Sequence, residues 1–131
     1  MIDKWRIEEN VFSEKTSGKH ETLMTLGNGY MGIRAGFEEE YAGQKRGFFI
    51  AGTYIRAGLN EVAELPNAAD ITAFEIIIDN EKFSHLKGEI HEYNYALDMK
   101  TGELKRELIW ENTGNKKFRM INACRKLFGG H

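Results

Sequence analysis

The sequence predicts an all-β fold, an antiparallel sandwich or barrel, and three observations carry that prediction. Short runs rich in aromatic and β-branched residues recur along the chain, with turn residues between them at spacings of about 10 to 20 positions. Fourteen glycines are scattered among those turns, and no linker, repeat or low-complexity segment interrupts them. No apolar period of 3.6 residues persists for more than two turns, so no amphipathic helix is expected.

Taken in order, Trp5-Arg6-Ile7 and Val11-Phe12 form an irregular opening, and the polar residues 13–19 read as a loop. Asn28-Gly29 lies between two alternating apolar stretches, Leu23-Met24-Thr25-Leu26 and Tyr30-Met31-Gly32-Ile33-Arg34. Such a dipeptide between strands predicts a tight hairpin with a type I′ turn, in which both central residues have positive φ. Residues 48–55 form a run long enough for a buried strand. Residues 57–70 make a loop around Pro66, the one proline. Phe74-Glu75-Ile76-Ile77-Ile78 leads through Asp79-Asn80-Glu81-Lys82 and out by Phe83, a second hairpin. A further strand is predicted over residues 89–97, and Lys100-Thr101-Gly102 turns it back into residues 104–110. In that strand Leu104, Leu108 and Trp110 share one face, interrupted by Arg106. Asn112-Thr113-Gly114-Asn115 makes the last turn, before Phe118-Arg119-Met120-Ile121.

Four ordered blocks carry a resemblance to a known family. They are LGNGYMGIRAGFEEEY from Leu26 to Tyr41, GFFIAGTY from Gly47 to Tyr54, ELPN from Glu64 to Asn67, and LDMKTGEL from Leu97 to Leu104. Together they resemble the N-terminal part of glycoside hydrolase family 65, which contains the maltose, kojibiose and trehalose phosphorylases. The resemblance runs from residue 5 to residue 110. It implies a galactose-mutarotase-like antiparallel super-sandwich that is longer than this chain, so residues 1–131 would form a partial N-terminal domain, the first half of the sandwich. In the family the catalytic residues lie downstream in an (α/α) helical barrel, which is absent here. None of the 20 acidic residues matches the motif of the family's catalytic glutamate, so no catalytic residue is assigned.

The implied parent activity is inverting phosphorolysis of an α-glucosyl disaccharide. Inorganic phosphate would act as co-substrate to give β-glucose 1-phosphate, with no cofactor, in a homodimer. The expected part of this chain is scaffold and interface. Three competing readings are a related hydrolase of trehalase type, a stand-alone carbohydrate-binding or assembly module, and an inactive truncated remnant. The last draws on the tail: after Ile121 the family shows an arginine followed by an aromatic residue, whereas Lys126 follows Arg125 here and residues 127–131 match nothing expected.

Composition narrows the partners. With 18 basic and 20 acidic residues interspersed, the net charge is −2 and no basic patch forms, which argues against nucleic acid and anionic membranes. Cys124 is the single cysteine, so no internal disulfide can form, which suits a reducing cytoplasm. Residues 1–6 are charged and lack the apolar core of a signal peptide, and no apolar run reaches the roughly 20 residues of a membrane span. A cytoplasmic chain is expected.

Substrate-binding candidates are Asn28, Arg34 and Glu38. Gly27-Asn28-Gly29 followed by Gly32 could cradle phosphate, but phosphate loops open onto a helix N-terminus, and these residues run into a strand pattern, which favours a hairpin turn. Arg34 with Glu38, Glu39 and Glu40 could contact sugar or a second subunit through directional guanidinium bonds. The plainer reading, a strand-end arginine beside a solvated acidic loop, is preferred. His20, His85, His91 and His131 have no metal-ligand spacing, so surface or turn roles are expected and no metal site is assigned. Cys124 has no histidine or acid nearby to mark a nucleophile and reads as a structural thiol. The aromatics Trp5, Tyr30, Phe48, Phe49, Tyr54 and Trp110 read as core packing rather than sugar-stacking platforms.

Overall fold

A computed structural model describes residues 3–126, with side chains for residues 3–121. The chain folds as β1 (Arg6–Glu9), α1 (Glu14–Leu23), β2 (Leu26–Gly27), β3 (Met31–Ile33), β4 (Phe48–Ile50), β5 (Ile77–Ile78), β6 (Glu81–Lys82), β7 (Glu89–Asp98), β8 (Glu103–Glu111) and β9 (Lys117–Lys126). These strands build a four-stranded sheet in the order β1-β7-β8-β9, a three-stranded sheet β2-β3-β4, and the small hairpin β5-β6. Every pairing is antiparallel, and side chains from both larger sheets share one core, as the all-β sandwich prediction requires.

Local chemistry explains the long β7-β8-β9 meander. At the first turn Asp98 Oδ1 accepts from the amides of Lys100 (2.8 Å) and Thr101 (3.2 Å), and Gly102 takes a φ of 67° that a side chain would resist. At the second, Asn112 Oδ1 accepts from Lys116 N at 2.9 Å and Asn115 adopts a φ of 58°. The strands then alternate as a half-buried sheet should. In β8, Leu104, Arg106, Leu108 and Trp110 point inward and are buried. Glu103, Lys105, Glu107 and Glu111 fall on the opposite, outward positions. Tyr93, Tyr95 and Leu97 of β7 join the inner face, which is covered by Met24, Leu26, Ile33, Ala35, Phe37, Phe48 and Phe83. Trp110 anchors the middle: Phe83 meets it edge-on at 5.2 Å, and its Nε1–H donates to the carbonyl of Lys87 at 2.7 Å. Each such aromatic or aliphatic side chain contributes about 1.5–3 kcal/mol by leaving water.

Three elements depart from the sequence reading. Residues 14–23 form a helix where a loop was expected, because its only buried residue is Glu21 and it shows no apolar stripe to read. Tertiary bonds hold it instead. Glu21 accepts from Arg34 Nη2 at 3.2 Å and from the Tyr41 hydroxyl, its carbonyl takes the amide of Ala35 at 3.0 Å, and His20 pairs with Glu9. Gly18 sits inside this helix with nothing within 4 Å of an added Cβ. Gly18→Ala is therefore expected to raise stability by about 0.5–1 kcal/mol, read as a higher urea midpoint at unchanged slope.

The hairpin at Asn28-Gly29 is present, but its turn is shifted by one residue. Only Gly29 has positive φ (83°), as in a type II′ turn, with Gly29-Tyr30 central. The doubly positive pair that marks a type I′ turn appears instead at Asp79 (50°) and Asn80 (60°), between β5 and β6. The predicted strand over residues 48–55 stops at Ile50, where Gly52 turns the chain with a φ of 83°. Ile55 then makes only an isolated bridge to Glu64. The Cys124 side chain and residues 127–131, with His131, lie outside the described residues.

Candidate functional site

The most strongly charged buried assembly is built where the acidic triplet of the sequence meets the arginine of β8. Chain alternation places Arg106 between Leu104 and Leu108 on the inner face, where it is 2% exposed. An arginine there needs carboxylates, because an unpaired buried cation is very costly. The loop after β3 supplies them. Arg106 Nη1 and Nη2 donate to the two oxygens of Glu39 at 2.7 and 2.8 Å, and Nη2 also donates to Glu38 Oε2 at 2.8 Å. The guanidinium carbon lies 4.6 Å from the centroid of the Phe37 ring. On the same ring His85 stacks at 4.2 Å and 10° between planes.

His85 completes the network as a neutral ring. Arg106 has only donors, so its Nη1, 3.2 Å from His85 Nε2, fixes that nitrogen as acceptor. The ring proton then belongs on Nδ1, which faces Glu39 Oε1. Burial, the largest influence, pulls the His85 pKa below the usual imidazole value, and Glu39 opposes without reversing it. Burial alone would raise the Glu39 pKa, but hydrogen bonds from His85 and Arg106 outweigh it and hold the carboxyl at about 2. Arg106 is buried too, yet its bonds to Glu39 keep its pKa above the ordinary arginine value. A carboxyl held this firmly ionised is unsuited to protonate a leaving group, which requires a raised pKa. The cluster's chemistry is that of a clamp, fastening the loop after β3 and the segment before β7 to the central strand.

A pH dependence follows. Glu39 binds its proton more weakly folded (about 2) than unfolded (4.5), so the unfolded chain holds more protons at low pH and stability falls as pH drops through that window. The associated loss is about 3 kcal/mol. His85 acts in the same direction, starting where the unfolded ring protonates near 6.5. Unfolding free energy from urea titrations is expected to decline below pH 6.5 and steepen below 4.5, with Glu39→Gln flattening the lower limb.

The three candidates named from sequence do not converge. Asn28 sits at the hairpin tip, its Oδ1 accepting from the amides of Tyr30 (3.0 Å) and Met31 (2.7 Å). Arg34 turns to the helix rather than to the acidic triplet: Nη2 meets Glu21, and Nε donates to the Lys45 carbonyl at 2.8 Å. Glu38 faces Arg106. The expectation of a solvated acidic loop is thus corrected for two of its three glutamates. Glu38 and Glu39 are buried against Arg106, and only Glu40 is exposed. The surface role expected of the histidines is likewise corrected for His85. Among the aromatics Phe48 and Trp110 are core residues, as expected, whereas Trp5, Tyr30 and Tyr54 are exposed. Arg106 was the residue sequence reasoning left without a role, although its signal was visible as a break in an apolar face. At the far end of the same sheet Glu89, His91 and Glu111 bring three potential ligand atoms within 4.8 Å of one another, with Lys117 Nζ 3.6 Å from Glu111.

Comparison with known proteins adds the wider context. Residues 7–123 match the family model described as glycosyl hydrolase family 65, N-terminal domain. The chain is 42% identical over 117 residues to a kojibiose phosphorylase of Halothermothrix orenii, covering 89% of this chain and 15% of that protein. It is 41% identical over 112 residues to the kojibiose phosphorylase of Escherichia coli, covering 86% of this chain and 14% of that one. Against the maltose phosphorylase of Bacillus subtilis it is 32% identical, over 82% and 16% respectively. A solved structure described as "Putative kojibiose phosphorylase from human microbiome" superposes with a TM-score of 0.73 at 28% identity, over 82% of this chain and 16% of that one. The chain thus spans about 15% of the length of the relatives it matches.

Proposed function

Because the chain belongs to glycosyl hydrolase family 65, within its N-terminal domain, we propose that it serves as the scaffold and interface part of an inverting phosphorylase of α-glucosyl disaccharides. In the whole enzyme, phosphate oxygen attacks the anomeric carbon from the face opposite the glycosidic bond. That bond breaks, an acid on the helical barrel protonates the departing oxygen, and the products are β-glucose 1-phosphate and the free acceptor sugar. The enzyme is a cytoplasmic homodimer that uses inorganic phosphate and no cofactor. Residues 1–131 are the first part of the sandwich and supply none of the reacting groups.

One observation carries this reading: the family match spans residues 7–123 while the matched relatives are several times longer. The surface supports it. Leu59 (95% exposed), Val62 (85%), Ile71 (77%) and Tyr54 (67%) are exposed apolar side chains on the long segment between β4 and β5, available for contact with more protein. Among the described residues, no helix is long and apolar enough to cross a membrane.

A chimera tests the proposal. Residues 7–123 are grafted in place of the matching segment of the Halothermothrix orenii kojibiose phosphorylase. Phosphate-dependent release of β-glucose 1-phosphate from kojibiose is expected to survive. A folded chimera without that activity would overturn the proposal.

A further inference from the structure

Beside the Arg106 clamp, on its solvent side, lies a cavity of about 300 Å³ between the loop after β3 and the residues leading into β5. Its lining includes Glu40, Arg46, Asp70 and Phe74. Three of these differ in kind from ordinary surface residues. Arg46 is held rigidly: Nε donates to Gln44 Oε1 (2.9 Å), Nη2 to the carbonyls of Phe37 (3.1 Å) and Glu38 (2.7 Å), and Nη1 to Asp70. That employs four of the five guanidinium N–H donors and leaves one on Nη1 without a partner among the described residues. Glu40 is exposed, and its carboxylate has no partner among the described residues. Phe74 is 50% exposed, although its backbone is fixed by a 3.2 Å bond from its amide to the Glu38 carbonyl.

A preset donor, a free carboxylate and an aromatic face around one hollow match the surface of a pyranose. Such a ring presents apolar C–H groups on one face and donor–acceptor hydroxyls at its edge. Aromatic rings take the first, while carboxylate and guanidinium take the second. The volume is at the small end of ligand pockets, suited to one sugar unit. A second hollow of similar size, about 290 Å³ over Ala96 on the outer sheet face, is walled by Arg6, Asp98, Glu103 and Lys105, with no aromatic residue in its lining.

We propose that the Phe74–Glu40–Arg46 cavity is a pyranose-binding subsite. The choice of a glucosyl ligand rests on the function proposed above; the site itself rests on the geometry. Binding of one sugar by one ring and two polar groups is expected to be weak, with a Kd on the order of millimolar, because little affinity remains after the costs of association.

The test titrates the 131-residue chain with D-glucose, and with mannitol as an acyclic polyol, followed by amide chemical shifts in NMR. Saturable glucose shifts at residues 40, 46 and 74, absent with mannitol, are expected. Phe74→Ala is expected to weaken binding about tenfold or more, and Glu40→Gln several-fold. Phe74 lies outside the buried core, so its variant should keep the wild-type spectrum elsewhere. Leu59→Ser, an exposed apolar position away from the cavity, should bind as the wild type does. No saturable shift up to roughly 100 mM glucose, equal shifts with mannitol, binding untouched by Phe74→Ala, or a chain without a folded spectrum would each overturn the proposal. The sugar titration and the chimera's activity are independent readouts. An active chimera with no glucose shifts removes the subsite alone, and shifts with an inactive chimera remove the phosphorylase reading alone.

Discussion

Replacing Arg106 with methionine is expected to cost about 3–5 kcal/mol, enough to abolish or nearly abolish cooperative unfolding. Methionine keeps the apolar stem and removes the charge. Glu38 and Glu39, 8% and 1% exposed, are then left facing each other without a cation. The loss is dominated by those stranded carboxylates rather than by the bonds deleted. The expected readout is a fall in melting temperature of about 10 °C or more, followed by tryptophan fluorescence or circular dichroism. A discriminating companion is Arg106→Met combined with Glu39→Gln. Because the second change removes one stranded charge, the pair should be less destabilised than the sum of the singles. A loss below about 1 kcal/mol in Arg106→Met would show that the cluster does not hold the fold.

Gly88→Ala is expected to cost about 2–5 kcal/mol for a different reason. Gly88 precedes β7 with a φ of 75°, and a Cβ built there falls 2.2 Å from the Glu111 carbonyl and 2.7 Å from Trp110 Nε1. The first neighbour is backbone, which cannot rotate away as a side-chain tip can. The second is the indole N–H bonded to Lys87 O, so relief at one contact loosens the other. Urea unfolding should show a large drop in midpoint. Gly102→Ala shares a positive φ but has nothing within 4 Å of the added atom, so it should lose only the smaller conformational part, about 1 kcal/mol. Equal losses at the two positions would mean that the contact at Gly88 is not what makes it glycine.

Much of the sheet was legible because its signals are local. The alternation over residues 89–110, the glycine at 102 and the asparagines near 112 predict the meander, and the structure contains it as β7, β8 and β9. The candidate site was far less legible. Arg106 and Glu39 are distant in sequence and meet only through the pairing of β8 and the path of the loop after β3. No window of sequence contains both. The same holds for α1, a polar helix whose stability comes from Arg34, Tyr41 and Glu9, each on another segment.

The division has one physical reason. Backbone preferences and two-residue alternation act between neighbours, so the amino-acid order by itself determined the all-β class, the hairpins near 28 and 79, and the long meander. Its motif blocks also determined the family. Only the tertiary structure decided which charges leave water. A lone buried arginine is unaffordable by any local rule, and Arg106 becomes stable only when Glu38, Glu39 and His85 arrive from elsewhere in the chain. Whether Glu38 was a solvated or buried carboxylate, and whether His85 was a surface or core ring, depended on that one long-range meeting.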